Sequence, residues 1–325
     1  MQYVIVGAGS LGQSFAALLA GAGQHVTLLA TPRSAARLRA AGAIRLCGAV
    51  ETRVPVGTSG VAVTSDPSDV PDGAAALFTT KGNDLAGAIE SVHFAAGGRL
   101  AWAGGVQNGL LKDDLLVSAF GADRTVGAVT IFGAQRQPDE SVTVGSLGMT
   151  YFGELDGHVS ERVQKASDTF QAAGIPSQAH ANIRSVLWSK ACNATGVFGV
   201  TCLARASNQR LLSNAHLMRA YMALVRETAA VAAAYGVQVG DYPSFPPIGT
   251  YVEHDDQTTI DQLQPHSESG LASYASMTHD VLAGLPLEVD AVFGDIVQRG
   301  ERKGISVPCL RLARDLLRGV DPGQA

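Results

Sequence analysis

Gly7-Ala8-Gly9-Ser10-Leu11-Gly12 constrains this chain more than any other segment. It follows the apolar run Tyr3–Val6 and opens the Ala/Leu-rich segment Leu11–Ala22, which Gly23 stops. A G-x-G-x-x-G loop between a strand and a helix is the fingerprint of a dinucleotide-binding βαβ unit. In that reading Gly7 permits the tight turn, Gly9 lets backbone N–H groups approach a pyrophosphate, and Gly12 lets the helix pack closely on the strand. The amides of Ser10, Leu11 and Gly12 then stand at the positive end of a helix dipole, where an anion is held. A turn with no ligand is the alternative.

The end of the second strand selects the nucleotide. A carboxylate there would take the ribose 2′-hydroxyl of NAD. The stretch instead reads Leu29-Ala30-Thr31-Pro32-Arg33 and has none. Thr31 and Arg33 suit a 2′-phosphate, because a guanidinium is always charged and offers a planar fork of donors. The expected cofactor is therefore NADP(H). An exposed arginine at a helix start is the competing explanation of Arg33.

Strand and helix signals alternate through the first half. His25–Leu29, Ala75–Thr80, Leu100–Val106 and Val126–Phe132 read as strands, and Arg33–Ala41 as a helix stopped by Gly42. This alternation predicts a parallel α/β sheet. Val142–Val144 and Met149–Phe152 read as a late hairpin or an edge addition. Beyond Ala181 strand signals nearly vanish. Ile183–Val200, Gln209–Tyr235, Leu271–Leu282, Leu287–Lys303 and Leu310–Arg318 read as helices. The fold class is thus α/β, with a Rossmann-type domain over residues 1–181 and an all-α domain over residues 182–325. Gly240–Glu268 carries Pro243, Pro246, Pro247 and Pro265 among polar residues and reads as a long loop, either disordered or functional, for example a lid.

Composition narrows the functional classes. Charged residues are only 16% of the 325 and the net charge is −5, so no basic excess draws in nucleic acid or an anionic membrane. No apolar run reaches the roughly 18 residues of a membrane span, and the start MQYVIVGAGS has no signal-peptide pattern. Cys47, Cys192, Cys202 and Cys309 are scattered and read as small hydrophobes of a cytoplasmic protein. Glu253-His254-Asp255-Asp256 lacks a helical His pair and reads as a solvated run, so no metal is expected. A homodimer is one assembly that long apolar helices such as Leu211–Tyr235 allow; monomer core is the other.

Ligands of such sheets bind outside the carboxyl ends of the strands. Two polar clusters sit there. Lys81 follows Leu77-Phe78-Thr79-Thr80, and Gln107-Asn108-Gly109 follows the strand ending at Val106. Lys81 also reads as a surface lysine, and Asn108-Gly109 as a simple turn. Lys190 shares a helix face with Ile183, Val186, Leu187, Ala194 and Val197. A lysine on an apolar face either snorkels outward or faces an enclosed site, where desolvation disfavours the ammonium and suits a general acid near neutral pH. Glu288, two residues after Pro286, reads as a first-turn glutamate or as an active-site carboxylate.

The chain resembles the ketopantoate reductase family (2-dehydropantoate 2-reductases) over essentially its full length. The resemblance rests on Gly7-x-Gly9-x-x-Gly12, Lys81, Gln107-Asn108-Gly109, Trp188-Ser-Lys190, Ser276-Met277, Glu288-Val-Asp290 and Gly304-Ile-Ser-Val-Pro308, in that order. It implies NADPH-dependent reduction of a 2-oxo acid such as 2-dehydropantoate, a step of pantothenate biosynthesis. Lys190 matches the family's catalytic lysine, Glu288 its active-site glutamate and Ser276 its substrate-contacting serine. Lys81 and Asn108 match residues near the nicotinamide, and Asn108 is also a substrate contact.

The departures bear on the substrate. Family asparagines after the lysine are Ala194 and Phe198 here, another after the glutamate is Phe293, and the arginine ending the second strand is Thr31. Asn193 lies one residue before Ala194, about 100° round the helix. It is carried as a candidate substrate contact, not as a simple replacement. Fewer amides and two extra phenylalanines imply a less polar pocket, since a missing buried hydrogen bond costs roughly 1–3 kcal/mol. A bulkier or more apolar ketone is therefore an alternative substrate. A β-hydroxyacid dehydrogenase and a non-catalytic NADP(H) sensor are alternative functions.

Overall fold

The computed structural model describes residues 2–57, 59–264 and 273–324. It forms two compact units: Met1–Gln107 with Lys112–Arg184, and Asn108–Leu111 with Ser185–Ala325. The chain therefore enters its second unit twice, the first time for only the four residues Asn108–Leu111.

The first unit is built on strand–helix alternation. β1 (Gln2–Val6), α1 (Ser10–Gly21), β2 (His25–Leu29) and α2 (Pro32–Ala41) lead into β3 (Ala43–Gly48), β4 (Thr52–Pro55) and β5 (Val61–Thr64). Then follow β6 (Ala75–Phe78), α3 (Gly82–Ala96), β7 (Trp102–Gly105), α4 (Leu111–Phe120), β8 (Val126–Thr130), β9 (Gly133–Arg136), β10 (Val142–Ser146), β11 (Thr150–Glu154), α5 (Glu161–Ala172) and β12 (Ser177–Ala179). Five strands pair in parallel in the order β5-β2-β1-β6-β7. β1 and β6 are continuous apolar runs because both faces of a parallel sheet are covered. A single parallel bridge, Ala103 to Thr125, carries the sheet on to β8, β11 and β12. Phe170 of α5 meets Phe15 and Phe152 edge to face at 5.3 and 4.9 Å, so α1, α5 and the sheet share one aromatic core.

Val142–Val144 and Met149–Phe152 form neither the expected hairpin nor an edge addition, since β10 and β11 are each an inner strand of a different sheet. β10 pairs with β9 and β3, whereas β11 pairs with β8 and β12. The register of β10 shifts between Val144 and Ser146, and Gly148 leaves no room for a Cβ beside the Ile131 carbonyl. The chain turns there from one sheet to another.

The second unit is helical after Ala204 as before it. α6 (Ile183–Ala204) is followed by α7 (Asn208–Leu212), α8 (Ala215–Ala234), α9 (Ile248–Glu253), α10 (Asp256–Leu263) and α11 (Ser276–Ala283). A π-helical turn, Asp290–Gly294, runs into α12 (Asp295–Arg302), and α13 (Pro308–Val320) closes the fold. The helix expected over Gln209–Tyr235 breaks at Ser213-Asn214, because Asn214 caps α8 by accepting from His216 N and Leu217 N. The glutamate-bearing helix begins at Val289 and not at Pro286, so Glu288 is its cap residue. Gly240–Glu268 is not a plain loop: it holds α9 and α10, and Asp255 starts α10 by accepting from Thr258 N at 2.9 Å. Asp256 pairs with Arg226 of α8, so the acidic run is structural as well as solvated. Residues 265–268 of that segment, and 271–272 of the expected helix Leu271–Leu282, lie outside the described residues. Among the described residues no helix is long and apolar enough to cross a membrane.

Candidate active site

In the first unit the glycine loop is fixed by neighbours that tolerate no side chain. Gly7 has φ +112°, and a Cβ on it would lie 2.8 Å from Thr80 N. A Cβ on Gly12 would lie 2.0 Å from the Gly7 carbonyl oxygen. Thr79 Oγ1 donates to the Gly7 and Val6 carbonyls at 2.9 and 3.1 Å, and the buried Gln13 donates to Ala8 O. Gly9 differs: a Cβ there would meet nothing within 4 Å. Gly9 is the cap residue of α1, no side chain caps that helix, and its first turn holds no acidic residue. A helix start with Ser10, Leu11 and Gly12 as its first amides, an open side and no competing carboxylate fits a pyrophosphate.

Thr31 caps α2, accepting from Ser34 N at 3.3 Å and donating to Ser34 Oγ at 3.1 Å. Thr31 and Arg33 are exposed. The end of β2 thus offers a second helix N-terminus, two hydroxyls and a guanidinium. Ser34 was not singled out from the sequence, although its place three residues after Thr31 marks the capped turn. Lys81 is the exposed cap residue of α3, three residues past the end of β6. Gln107, buried, donates to the Thr80 carbonyl at 3.1 Å and so ties the chain after β7 to the chain after β6.

In the second unit α6 is the hub. From Ser185 to Cys202 every residue is buried except Lys190, Asn193 and Val197. These stand at i, i+3 and i+7, one stripe of the helix. The sequence grouped Lys190 with Ala194 and Val197 on an apolar face; the helix is in fact buried nearly all round, and Asn193 and Val197 are the residues that share the open stripe. Ala194, Phe198 and Phe293 are buried. Ser189 of the Trp188-Ser189-Lys190 run is also buried, and its hydroxyl accepts from Gly240 N at 2.9 Å.

Three contacts join α6 and its neighbours to the other candidate residues. A Cβ on Gly199 would lie 3.4 Å from the Phe293 ring, so the π turn after Glu288 packs on α6. Thr201 and Thr278 share a hydrogen bond of 2.6 Å, which holds α11, and with it the exposed Ser276 at its first position, against α6. Gly109, with φ +84°, lies against the Ala291 carbonyl, so the segment carrying the half-buried Asn108 also reaches the π turn. Glu288 is 5% exposed, a buried carboxylate at the start of an irregular helix. Such π turns recur at functional sites.

Tyr221, of α8, was not anticipated. Its hydroxyl donates to Asn193 Oδ1 at 3.0 Å. Burial, with Tyr251 and Cys192 nearby, pushes its phenol well above the ordinary value. The tyrosine therefore remains a donor.

Known proteins resemble this chain along nearly its whole length. Residues 3–157 match the family described as Ketopantoate reductase PanE/ApbA, and residues 182–321 match its C-terminal domain. The 2-dehydropantoate 2-reductase of Pyrococcus abyssi is 26% identical over 321 residues, covering 99% of this chain and 98% of that relative. That of Halobacterium salinarum is 27% identical over 322 residues, covering 98% of each. Among solved structures, a PanE/ApbA family ketopantoate reductase from Ralstonia eutropha superposes with a TM-score of 0.80 at 26% identity, covering 100% of this chain and 99% of that one. A D-mandelate dehydrogenase solved with NADH and anilino(oxo)acetate has the same fold, with a TM-score of 0.80 at 17% identity and coverage of 100% and 99%.

Proposed function

This chain belongs to the ketopantoate reductase family, a family of oxidoreductases acting on a ketone, and from that premise we propose that it reduces a 2-oxo acid such as 2-dehydropantoate with NADPH. The observation that carries this reading is Lys190, a half-buried ammonium on a stretch of helix otherwise buried but for Asn193 and Val197.

Gly7, Gly9 and Gly12 with the amides of Ser10 and Leu11 would hold the pyrophosphate. Thr31 and Arg33 would take the 2′-phosphate, with Ser34 beside them. Lys81, Asn108 and Glu288 are the further residues assigned to the cofactor by the family match. When bound, the reduced nicotinamide supplies the hydride that reaches the carbonyl carbon. Lys190 polarises the carbonyl oxygen and gives it a proton, so the product is the 2-hydroxy acid. Glu288, an acceptor in a buried setting, orients the Lys190 ammonium or a substrate hydroxyl. Ser276, at an α11 start that no side chain caps, holds the substrate carboxylate together with Asn108.

A screen of 2-oxo acids by loss of NADPH absorbance tests this. Turnover of 2-dehydropantoate with a lower KM for NADPH than for NADH is expected. Fast turnover of another ketone beside negligible turnover of 2-dehydropantoate would remove the pantothenate assignment. The burial of Ala194, Phe198 and Phe293 makes a more apolar 2-oxo acid the reading to test next.

A further inference from the structure

α6 and α8 cross where Gly196 has no side chain. A Cβ on Gly196 would lie 2.6 Å from Tyr221 Cδ2 and 2.7 Å from Cε2. The ring of Tyr221 therefore rests on α6 itself, and its hydroxyl reaches Asn193 one turn back. The hydroxyl donates to the amide oxygen, so the Asn193 NH2 group is turned away from Tyr221. Among the described residues that NH2 meets no acceptor. It lies on the open stripe with Lys190, three residues away, where side chains on one helix face are about 5–6 Å apart. Val197 is next along the stripe.

We propose that Tyr221 is a positioning residue that turns the Asn193 NH2 group away from itself, and that Asn193 thereby selects a 2-oxo acid carrying an acceptor oxygen two carbons from the reacting carbonyl carbon. This rests on the reductase reading above and deepens it. The stripe presents an ammonium, then an amide donor, then an apolar side chain. The ammonium and the amide donor match a substrate that offers a carbonyl oxygen and, beyond one intervening carbon, a hydroxyl oxygen. A freely rotating asparagine would turn either its oxygen or its NH2 to the substrate; one held through its oxygen by a buried phenol favours the NH2.

The test uses two probes that differ by one oxygen, 2-dehydropantoate and 3,3-dimethyl-2-oxobutanoate, which lacks the 4-hydroxyl. The readout is the ratio of their kcat/KM values, since any general weakening of anion binding cancels in it. The intact enzyme is expected to prefer the hydroxylated acid. Asn193→Asp keeps the acceptor for Tyr221 but has no N–H to give, and should cut the ratio by about ten-fold or more, chiefly through KM. Tyr221→Phe keeps the packing and frees the amide; it should lower the ratio several-fold while kcat and the melting temperature change little. A purely structural tyrosine would instead lower the melting temperature and slow both probes equally. A ratio unmoved in Asn193→Asp, or an intact enzyme that favours the deoxy acid, overturns the proposal. An enzyme that binds NADPH and reduces neither probe overturns the reductase reading, and this inference with it.

Discussion

A Cβ placed on Gly109 would lie 2.1 Å from the carbonyl oxygen of Ala291, and the backbone at Gly109 is left-handed with φ +84°. Two short segments far apart in sequence are thus held in contact by the absence of one carbon. One carries Asn108 and the other follows Glu288. Gly109→Ala must both strain its own dihedral and push a backbone carbonyl that has no rotamer to escape into. It should destabilise by roughly 2–3 kcal/mol, read as a lower melting temperature. Because the displaced turn follows Glu288 directly, kcat/KM should fall further than the loss of folded protein explains. Retained kcat/KM per folded molecule would separate this contact from the site.

Lys190→Ala removes the proposed proton donor without opening a large cavity, since the side chain is half-buried. The expected loss in kcat is about 10²–10⁴-fold, the usual worth of a positioned acid. NADPH binding, followed by its fluorescence, should be unchanged. Near-normal kcat would mean that another group protonates the carbonyl oxygen.

How far the sequence reached depends on the range of the interaction. The glycine loop, the strand–helix alternation and the helical second half are local patterns, and each appears where expected. The pairing of β10 with β9 and β3 is set by partners elsewhere in the chain, and two adjacent apolar runs therefore read as a hairpin or an edge addition when each is an inner strand of a different sheet. Helices α9 and α10 were obscured by Pro246 and Pro247, although proline is well placed at a helix start and Asp255 followed by Thr258 is a local capping signal. Asn193 became informative only with Tyr221, 28 residues on, and that contact exists because Gly196 lets two helices close up. No periodicity in α6 encodes which of its faces stays open when serines and threonines are buried along with its apolar residues.

Glu154 ends β11 and accepts from Arg162 Nε and Nη2, each at 2.7 Å, and from the Ser160 hydroxyl. Burial alone would raise its carboxyl, but these donors outweigh it and the group lies below the usual glutamate value. The folded state therefore holds the proton less tightly than the unfolded chain. The stabilisation is complete above the ordinary carboxylate range, near pH 4.3, and fades as pH falls through the lowered value. Glu154→Gln should cost about 2 kcal/mol at neutral pH, because Arg162 keeps some contact with water. The difference between variant and parent should shrink in melts at progressively lower pH. A gap that is constant with pH would assign the loss to packing.

The end of β2 allows a test of nucleotide choice that leaves the fold alone. Thr31 caps α2 through its hydroxyl oxygen, with Pro32 as the first helical residue. Aspartate caps helices at least as well as threonine, so Thr31→Asp should preserve the melting temperature. It also installs the carboxylate that takes a ribose 2′-hydroxyl and repels a 2′-phosphate, while Arg33 and Ser34 remain. The KM for NADPH should rise by about ten- to a hundred-fold, and that for NADH should fall or hold. Arg33→Ala should raise the KM for NADPH by a smaller factor and leave NADH untouched. If both variants keep the parent's NADPH KM, the 2′-phosphate is not read at Thr31 and Arg33, and the choice between the two nucleotides is made elsewhere in the first unit.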